Sequence, residues 1–382
     1  MNFELTDDQA RIRDAVREFA ESEIAPGVVE REVHERFPSE IIEKLGPMGI
    51  LGMMVPEKYG GAGADALSYI LAVEELSRVC ASTAVIVSVN NSVFCYPVWK
   101  YGTEEQRTTV LREVATGEAL GAYALTESQS GSDAANQKTR AVRHGDEYVL
   151  DGAKAWITNA GVAKWYLVMA MTDAAAGTHG ITAFLVSAED PGVRPGPPEA
   201  KMGLRASKTA SLFLESVRVP ASRRLGAEGQ GFSIAMTTLD HSRIGIAAQG
   251  IGIARACYEA SVEYAQTRET FGKKLAEHEI VAFQLADMRV QIEAAKLLTY
   301  RAALQSEKPG IRFSKETSMA KVYATEMANT VAARAVQIFG GYGYSREYPV
   351  ERYYRDARVT TIYEGTSEIQ RIVISKNILA GR

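Results

Sequence analysis

A carboxylate set between an aromatic residue and a glycine, just ahead of a helix start, is the first feature of this 382-residue chain with the makings of chemistry. It is Glu364, in "TIYEGTSEIQR" at 361–371. Ser367 and Gln370 have the spacing of a capping box, and Ile369, Ile372, Val373 and Leu379 recur at helical intervals, so a helix is expected to begin here. An acid in that position either complements the positive end of the helix or stands on the preceding loop as a base. Asp240 and Arg243, three apart in "LDHSR", fit an intrahelical ion pair. Trp156, in "AWITNAG", fits a packed aromatic or a support for a planar heterocycle. Arg268, in "TRETFGK", fits a surface cation or a phosphate ligand.

Several other chemistries find no footing. No G-x-x-x-x-G-K-[ST] occurs, and "GAGADA" and "GIGIAR" lack the strand-turn-helix setting of a dinucleotide loop. "GIGIAR" falls inside a helical stretch, where its glycines permit close helix approach. "FGGYGY" reads as a helix ending in a turn. There is no G-x-S-x-G elbow, and "SQSGSD" has no strand-to-helix switch to present a serine. The five histidines show no metal-ligand spacing, so no metal is expected. Cys80, Cys95 and Cys257 are far apart and in mostly apolar surroundings, as reduced core thiols are.

The elements that must position these residues follow a helix-sheet-helix order. Residues 1–120 read as a helical domain, opened by the Thr6/Gln9 capping box and Ile12, Val16, Phe19 and Ile24. "ASTAVIVSVNNSVF" is β-branched enough to be ambiguous. Residues 121–226 carry short β-rich runs, among them "TRAVRHGDEYVLDG", "KWYLVMAMT", "GITAFLVS" and "ASLFLESVRVP", with no long helix between them. An antiparallel sheet is expected, not a doubly wound fold. Residues 227–382 return to long helices, broadly 231–267, 279–306 and 314–339. The fold class is therefore α+β, mostly α. A formal charge of -4 with 43 scattered Lys and Arg gives no positive face for nucleic acid. No stretch is apolar enough to insert in a membrane, and "MNFELTDDQA" has neither a basic start nor an apolar run, so a cytoplasmic location is expected.

Seven segments, in order, carry a resemblance: "YALTESQSGSD", "AWITNAG", "KMGLRASKTASLFLESVRVP", "LDHSRIGIAAQGIG", "RETFGK", "AVQIFGGYGY" and "YPVERYYRDARVTTIYEGTSEIQR". Together with the domain order they resemble the acyl-CoA dehydrogenase family over essentially the whole chain, its short-chain branch most nearly. The resemblance implies a C-terminal four-helix bundle, bound FAD, and oxidation of the α–β carbon bond of a short- or medium-chain acyl-CoA thioester. It also implies transfer of electrons to an electron-transfer flavoprotein and assembly as a homotetramer, a dimer of dimers.

Carried over residue by residue, Glu364 matches the family's base and Gly365 borders the thioester. Asp240, Arg243 and Ser132 match substrate contacts. Tyr123, Ala124, Leu125, Thr126, Ser132, Trp156, Ile157 and Thr158 match the flavin segments. Arg268, Gln337, Gly340 and Gly341 match holders of the adenine dinucleotide, some across a subunit boundary, and Thr366, Ser367 and Glu368 match the terminal FAD segment. Two positions depart from the family pattern. Ser128 and Gln129 stand where many relatives have Pro-Gly, which implies a more mobile loop, and Glu279 stands where a glutamine commonly touches the cofactor. Glu279 is expected to turn away or be paired. An acyl-CoA oxidase, a branched-chain acyl-CoA dehydrogenase and a noncatalytic CoA-binding protein on the same scaffold are the alternative readings.

Overall fold

The computed structural model describes residues 4–381; positions 1–3, part of the acidic opening read above, and 382 lie outside the described residues. The N-terminal helices are α1 (Asp7–Phe19), α2 (Val28–Val33), α3 (Ser39–Leu45), α4 (Ala66–Val79), α5 (Ala81–Ser88), α6 (Tyr96–Tyr101), α7 (Glu104–Gln106) and α8 (Arg112–Ala115). The Thr6 side chain and Gln9 form the expected reciprocal capping box at α1. The ambiguous "ASTAVIVSVNNSVF" stretch is helical, α5 running into a wider π-helical turn over Val89–Cys95. Every residue of it is buried, and burial among helices overrides the strand preference of its β-branched residues.

The middle of the chain forms β1 (Gly121–Ala124), β2 (Arg140–His144), β3 (Glu147–Thr158), β4 (Trp165–Met171), β5 (Ile181–Ser187), β6 (Val193–Pro198), β7 (Thr209–Pro220) and β8 (Arg224–Leu225). They build one sheet in the order β6-β7-β3-β2-β4-β5-β8, with β1 beside β4. Most pairings are antiparallel, as expected; the exceptions both involve β4, which β1 joins in parallel from Gly121↔Trp165 to Ala124↔Val168 and which β2 meets in parallel at Arg140↔Met171. β3 is longer than the sequence suggested, because it continues beyond "VLDG" through "AWIT".

Three long helices follow, α9 (Gly231–Thr267), α10 (Glu279–Ser306) and α11 (Ser314–Phe339), at the expected boundaries, then α12 (Val350–Thr360) and α13 (Ser367–Leu379). The α9 and α11 helices run in the same direction. Arg243 Nη1 donates to Ser318 Oγ at 3.1 Å near their starts, and Tyr264 stacks on Phe339 with ring centroids 4.0 Å apart near their ends. Small residues allow the contact: a Cβ on Gly250 would stand 3.0 Å from the Ala324 carbonyl, and one on Gly252 would stand 2.3 Å from the Glu74 carbonyl of α4. The "GIGIAR" glycines therefore serve helix packing. All three cysteines are buried free thiols.

Candidate active site

The Glu364 carboxyl sits at the buried junction of α9, α11 and the turn before α13. Glu364 has φ 54° and Gly365 φ 92°, two successive left-handed residues. Glycine takes that conformation freely, whereas a glutamate there is strained, so the surroundings must hold it. The Gly365 carbonyl accepts from Lys321 Nζ and from Gln370 Nε2, each at 2.8 Å, and Gln370 also reaches the Glu364 carbonyl at 3.3 Å. The expected cap is corrected here. Thr366, not Ser367, is the N-cap of α13 and accepts from the Ile369 N–H at 3.3 Å; Ser367 is the first helical residue. Gln370 has no N-cap Ser367 to bond back to and instead clamps the turn.

Glu364 Oε2 is sealed from solvent and lacks a hydrogen-bond partner. Burial raises the pKa of the carboxyl above the ordinary carboxylate range; the facing Ser242 hydroxyl and the charges of Lys321 and Arg243 oppose that rise. The Tyr123 hydroxyl, likewise buried without a partner, and the Tyr69 hydroxyl, which pairs with Ser88 Oγ at 3.0 Å, both feel the Glu364 charge. The Tyr363 hydroxyl is taken by the Gln249 side-chain carbonyl. Asp240 and Arg243 do form the intrahelical pair, at 2.5 Å, and Asp240 also accepts from Ser314. Arg243 is buried and its Nε is unpartnered. The pair therefore ties the start of α9 to α11 close to the glutamate.

The segments Tyr123, Ala124, Leu125, Thr126 and Trp156, Ile157, Thr158 come together as neighbouring strands. Ala155 N–H donates to the Thr126 carbonyl at 2.9 Å, and Asn159 Nδ2 donates to the Gly121 carbonyl at 3.1 Å. The β3–β7 register slips between Lys154 and Ile157, and Trp156 takes φ 61° there. This bulge swings the indole off the sheet, leaving Trp156 61% exposed, so the core-packing alternative for this residue is excluded. Beneath it, Lys154 Nζ is fully buried and donates to the Leu125 carbonyl at 3.2 Å, Glu127 Oε1 at 2.8 Å and Gln137 Oε1 at 3.1 Å. Glu127 in turn accepts from the Lys138 and Thr139 N–H groups and from Gln129 Nε2. The Ser128–Gln129 turn expected to be loose is tied through Glu127. Ser132 is exposed on the same loop.

Arg268, Gln337, Gly340 and Gly341 gather elsewhere. Arg268 follows α9 and its guanidinium lies 5.5 Å from the Tyr342 ring centroid, while Gly340 ends α11 with φ 60° and ψ -135°, a conformation glycine alone adopts readily. Gln337 lies sixteen residues beyond Lys321 on α11, about 24 Å along the helix. Within one chain, this exposed cluster is therefore remote from Glu364. Glu279 is exposed at the start of α10. Glu368 is exposed in the first turn of α13, its pKa lowered by its own backbone N–H and by Thr366. Among the described residues no group of three His, Cys, Asp or Glu side chains is placed to hold a metal ion.

Sequence reasoning missed Lys321, Gln370, Lys154 and Glu127. The one signal for any of them was the spacing of Gln370 from the helix start, and it pointed to a different bond.

Profiles of the acyl-CoA dehydrogenase N-terminal, middle and C-terminal domains match residues 6–118, 122–217 and 229–379. The short-chain specific acyl-CoA dehydrogenase of Clostridium acetobutylicum is 47% identical over 378 residues, covering 99% of this chain and 100% of that protein. The structure of butyryl-CoA dehydrogenase from Megasphaera elsdenii superposes with a TM-score of 0.97 at 46% identity, covering 99% of this chain and 100% of that one. A chain solved in work on the electron transferring flavoprotein of Acidaminococcus fermentans and flavin-based electron bifurcation superposes at 0.98, with 47% identity over 99% of this chain and 100% of that one. With profile matches spanning all three of its regions and such identity along its length, this chain belongs to the acyl-CoA dehydrogenase family.

Proposed function

We propose that the protein is an FAD-dependent dehydrogenase of short-chain acyl-CoA thioesters, with Glu364 as the base that takes the α proton and an electron-transfer flavoprotein as electron acceptor. The observation carrying the base assignment is the Glu364 carboxyl itself: sealed from solvent and unpartnered at Oε2, on a half-buried residue held on a strained turn. A carboxylate removed from water is a stronger base than a solvated one. The bound FAD supplies the acceptor for the β hydride. The C–H bond at the α carbon breaks as the proton passes to Glu364. The Glu364 backbone N–H would border the thioester carbonyl, where a donor stabilises the negative charge that develops on that oxygen.

The chain's own residues fit a flavin. The protruding Trp156 offers an aromatic face, and the sealed, partnerless Tyr123 hydroxyl beside Glu364 is a donor awaiting an acceptor. Tyr123 through Thr126 and Trp156 through Thr158 would hold the ring edge, with Ser132 on the neighbouring loop and Thr366, Ser367 and Glu368 at the terminal segment. Ser132, Asp240, Arg243 and Gly365 would border the acyl-CoA. Arg268, Gln337, Gly340 and Gly341 would serve the adenine dinucleotide bound by a partner subunit, which agrees with their remoteness from Glu364 in one chain.

A homotetramer built as a dimer of dimers is supported by α10. Phe283, Val290, Leu297 and Leu304 recur every seven residues along it and are all exposed, an unusual apolar stripe for a face left in water. Among the described residues no helix is long and apolar enough to cross a membrane, and a cytoplasmic site of action accompanies this reading. The test is anaerobic bleaching of the bound flavin by a panel of straight and branched acyl-CoAs. Butyryl- and hexanoyl-CoA are expected to bleach fastest. A preparation that takes up no FAD, or a flavin that no thioester bleaches, refutes the proposal, while rapid reoxidation by oxygen would mark an oxidase.

A further inference from the structure

We propose that Lys321 is a positioning residue for the base: its ammonium, with the Gln370 amide, grips the Gly365 carbonyl and so fixes the turn that aims Glu364, and its positive charge holds that carboxyl in the anionic form. The proposal rests on Glu364 being the base.

Lys321 lies in the interior of α11 with no exposed surface. A lysine is rarely buried so completely unless its charge is used, because desolvating an ammonium is costly. Its Nζ donates to the Gly365 carbonyl at 2.8 Å, and among the described residues it forms no ion pair with a carboxylate. What it holds is the one peptide group joining the strained glutamate turn to α13. Remove that grip and only the Gln370 amide remains on the two carbonyls of the turn.

The charges around this point come from several elements. Arg243, with Asp240, faces it from α9; Glu326 lies on α11 itself and Glu368 on α13; Tyr69 of α4, Tyr123 of β1 and Tyr363 border Glu364 as neutral hydroxyls. Burial pulls the Lys321 pKa down to about 7, with Glu364 opposing the fall most strongly and Arg243 adding to it. The same proximity works in the other direction on Glu364, whose raised pKa is restrained by Lys321. A cation that is retained at neutral pH chiefly through its neighbouring carboxylate also keeps that carboxylate ionised, the state in which it accepts a proton. Arg243 supplies part of the same field but is committed to Asp240 and Ser318, and no bond joins it to the turn.

The experiment follows Glu364 ionisation in the holoenzyme by infrared difference spectroscopy, using the carboxylate band that Glu364→Gln removes, and in parallel the pH profile of flavin bleaching by butyryl-CoA. In Lys321→Met the titration midpoint and the acid limb of the bleaching rate are both expected to move up by about one pH unit. Lys321→Arg, which keeps charge and donor, is expected to stay near the wild type. If Lys321→Met does not retain FAD, Lys321→Gln, with a donor but no charge, carries the same comparison. A neutral variant that loads FAD and has an unshifted midpoint overturns the proposal, even if its rate is lower. Failure of the wild-type flavin to bleach while the infrared midpoint still shifts would count against the functional reading and leave the Lys321–Glu364 coupling upheld.

Discussion

Replacing Glu364 by glutamine removes the proposed base while changing almost nothing else around it. The amide has the shape of the carboxyl, Ser242 still faces it, and the left-handed turn is still held by Lys321 and Gln370 through backbone carbonyls. Among the described residues around Glu364, no other side chain is placed to take over. The Tyr69, Tyr123 and Tyr363 hydroxyls have pKa values raised by burial and remain protonated. His241 is stacked on Tyr96 with centroids 3.9 Å apart, and Lys321 is bonded to the turn. The full contribution of general base catalysis should therefore be lost, roughly a thousandfold in the rate of flavin bleaching, or about 4 kcal/mol of barrier. FAD content and acyl-CoA affinity should be retained. Stability supplies a second readout. The folded-state pKa of Glu364 lies above its unfolded value of 4.5, so the ionised carboxyl costs the fold stability as pH rises above that value, and the glutamine variant escapes the cost. The assay is anaerobic stopped-flow bleaching with butyryl-CoA, alongside thermal unfolding at several pH values. Bleaching by Glu364→Gln within tenfold of the wild type would refute the reasoning.

Gly252→Ala should lower thermal stability by about 1–3 kcal/mol or more, because the added methyl meets the Glu74 carbonyl at 2.3 Å and Ser77 Cβ at 2.6 Å in the α4–α9 contact; an unchanged melting temperature would contradict this packing. His241, buried and held neutral with its pKa pushed down to about 3, binds a proton more readily unfolded than folded, so stability falls as pH drops below 6.5. Between pH 6.5 and 5 the wild type should lose about 2 kcal/mol that His241→Phe does not lose, measured by denaturant unfolding at the two pH values. Lys154→Met should cost about 3–5 kcal/mol by leaving Glu127 buried without its cation, and should lower flavin retention by loosening the Thr126 strand end; full FAD occupancy would refute that link. Val290→Glu on the exposed α10 stripe should shift the sedimenting species to smaller assemblies, with no change expected if that face meets only water.

The order of domains, the long helices α9, α10 and α11 and the α1 cap were legible because each rests on local signals, period and capping, that tertiary packing here reinforces. The Val89–Cys95 region was not, since complete burial erases the periodicity that tells helix from strand. The segments proposed to face the flavin were assigned from the resemblance alone. Nothing in "AWIT" announces the register slip that turns Trp156 outward, because a bulge depends on the partner strand β7, fifty residues later.

The site itself divides in the same way. The turn at Glu364 and Gly365 was not read from the sequence: a glutamate at φ 54° gives no conformational signal, and its strain is sustained by groups distant in the chain. Lys321 is one of those groups, forty-three residues before the glutamate, in a stretch, "SMAKVYA", whose single lysine reads as a solvated helix position. Only packing α11 against α9 and the α13 turn buries it and brings its ammonium to the Gly365 carbonyl. The proposed base is thus readable as a residue type next to a helix start, whereas what would make it a base is not. Its dryness, its aim and the charges that set its ionisation all come from helices that the chain brings together only after folding.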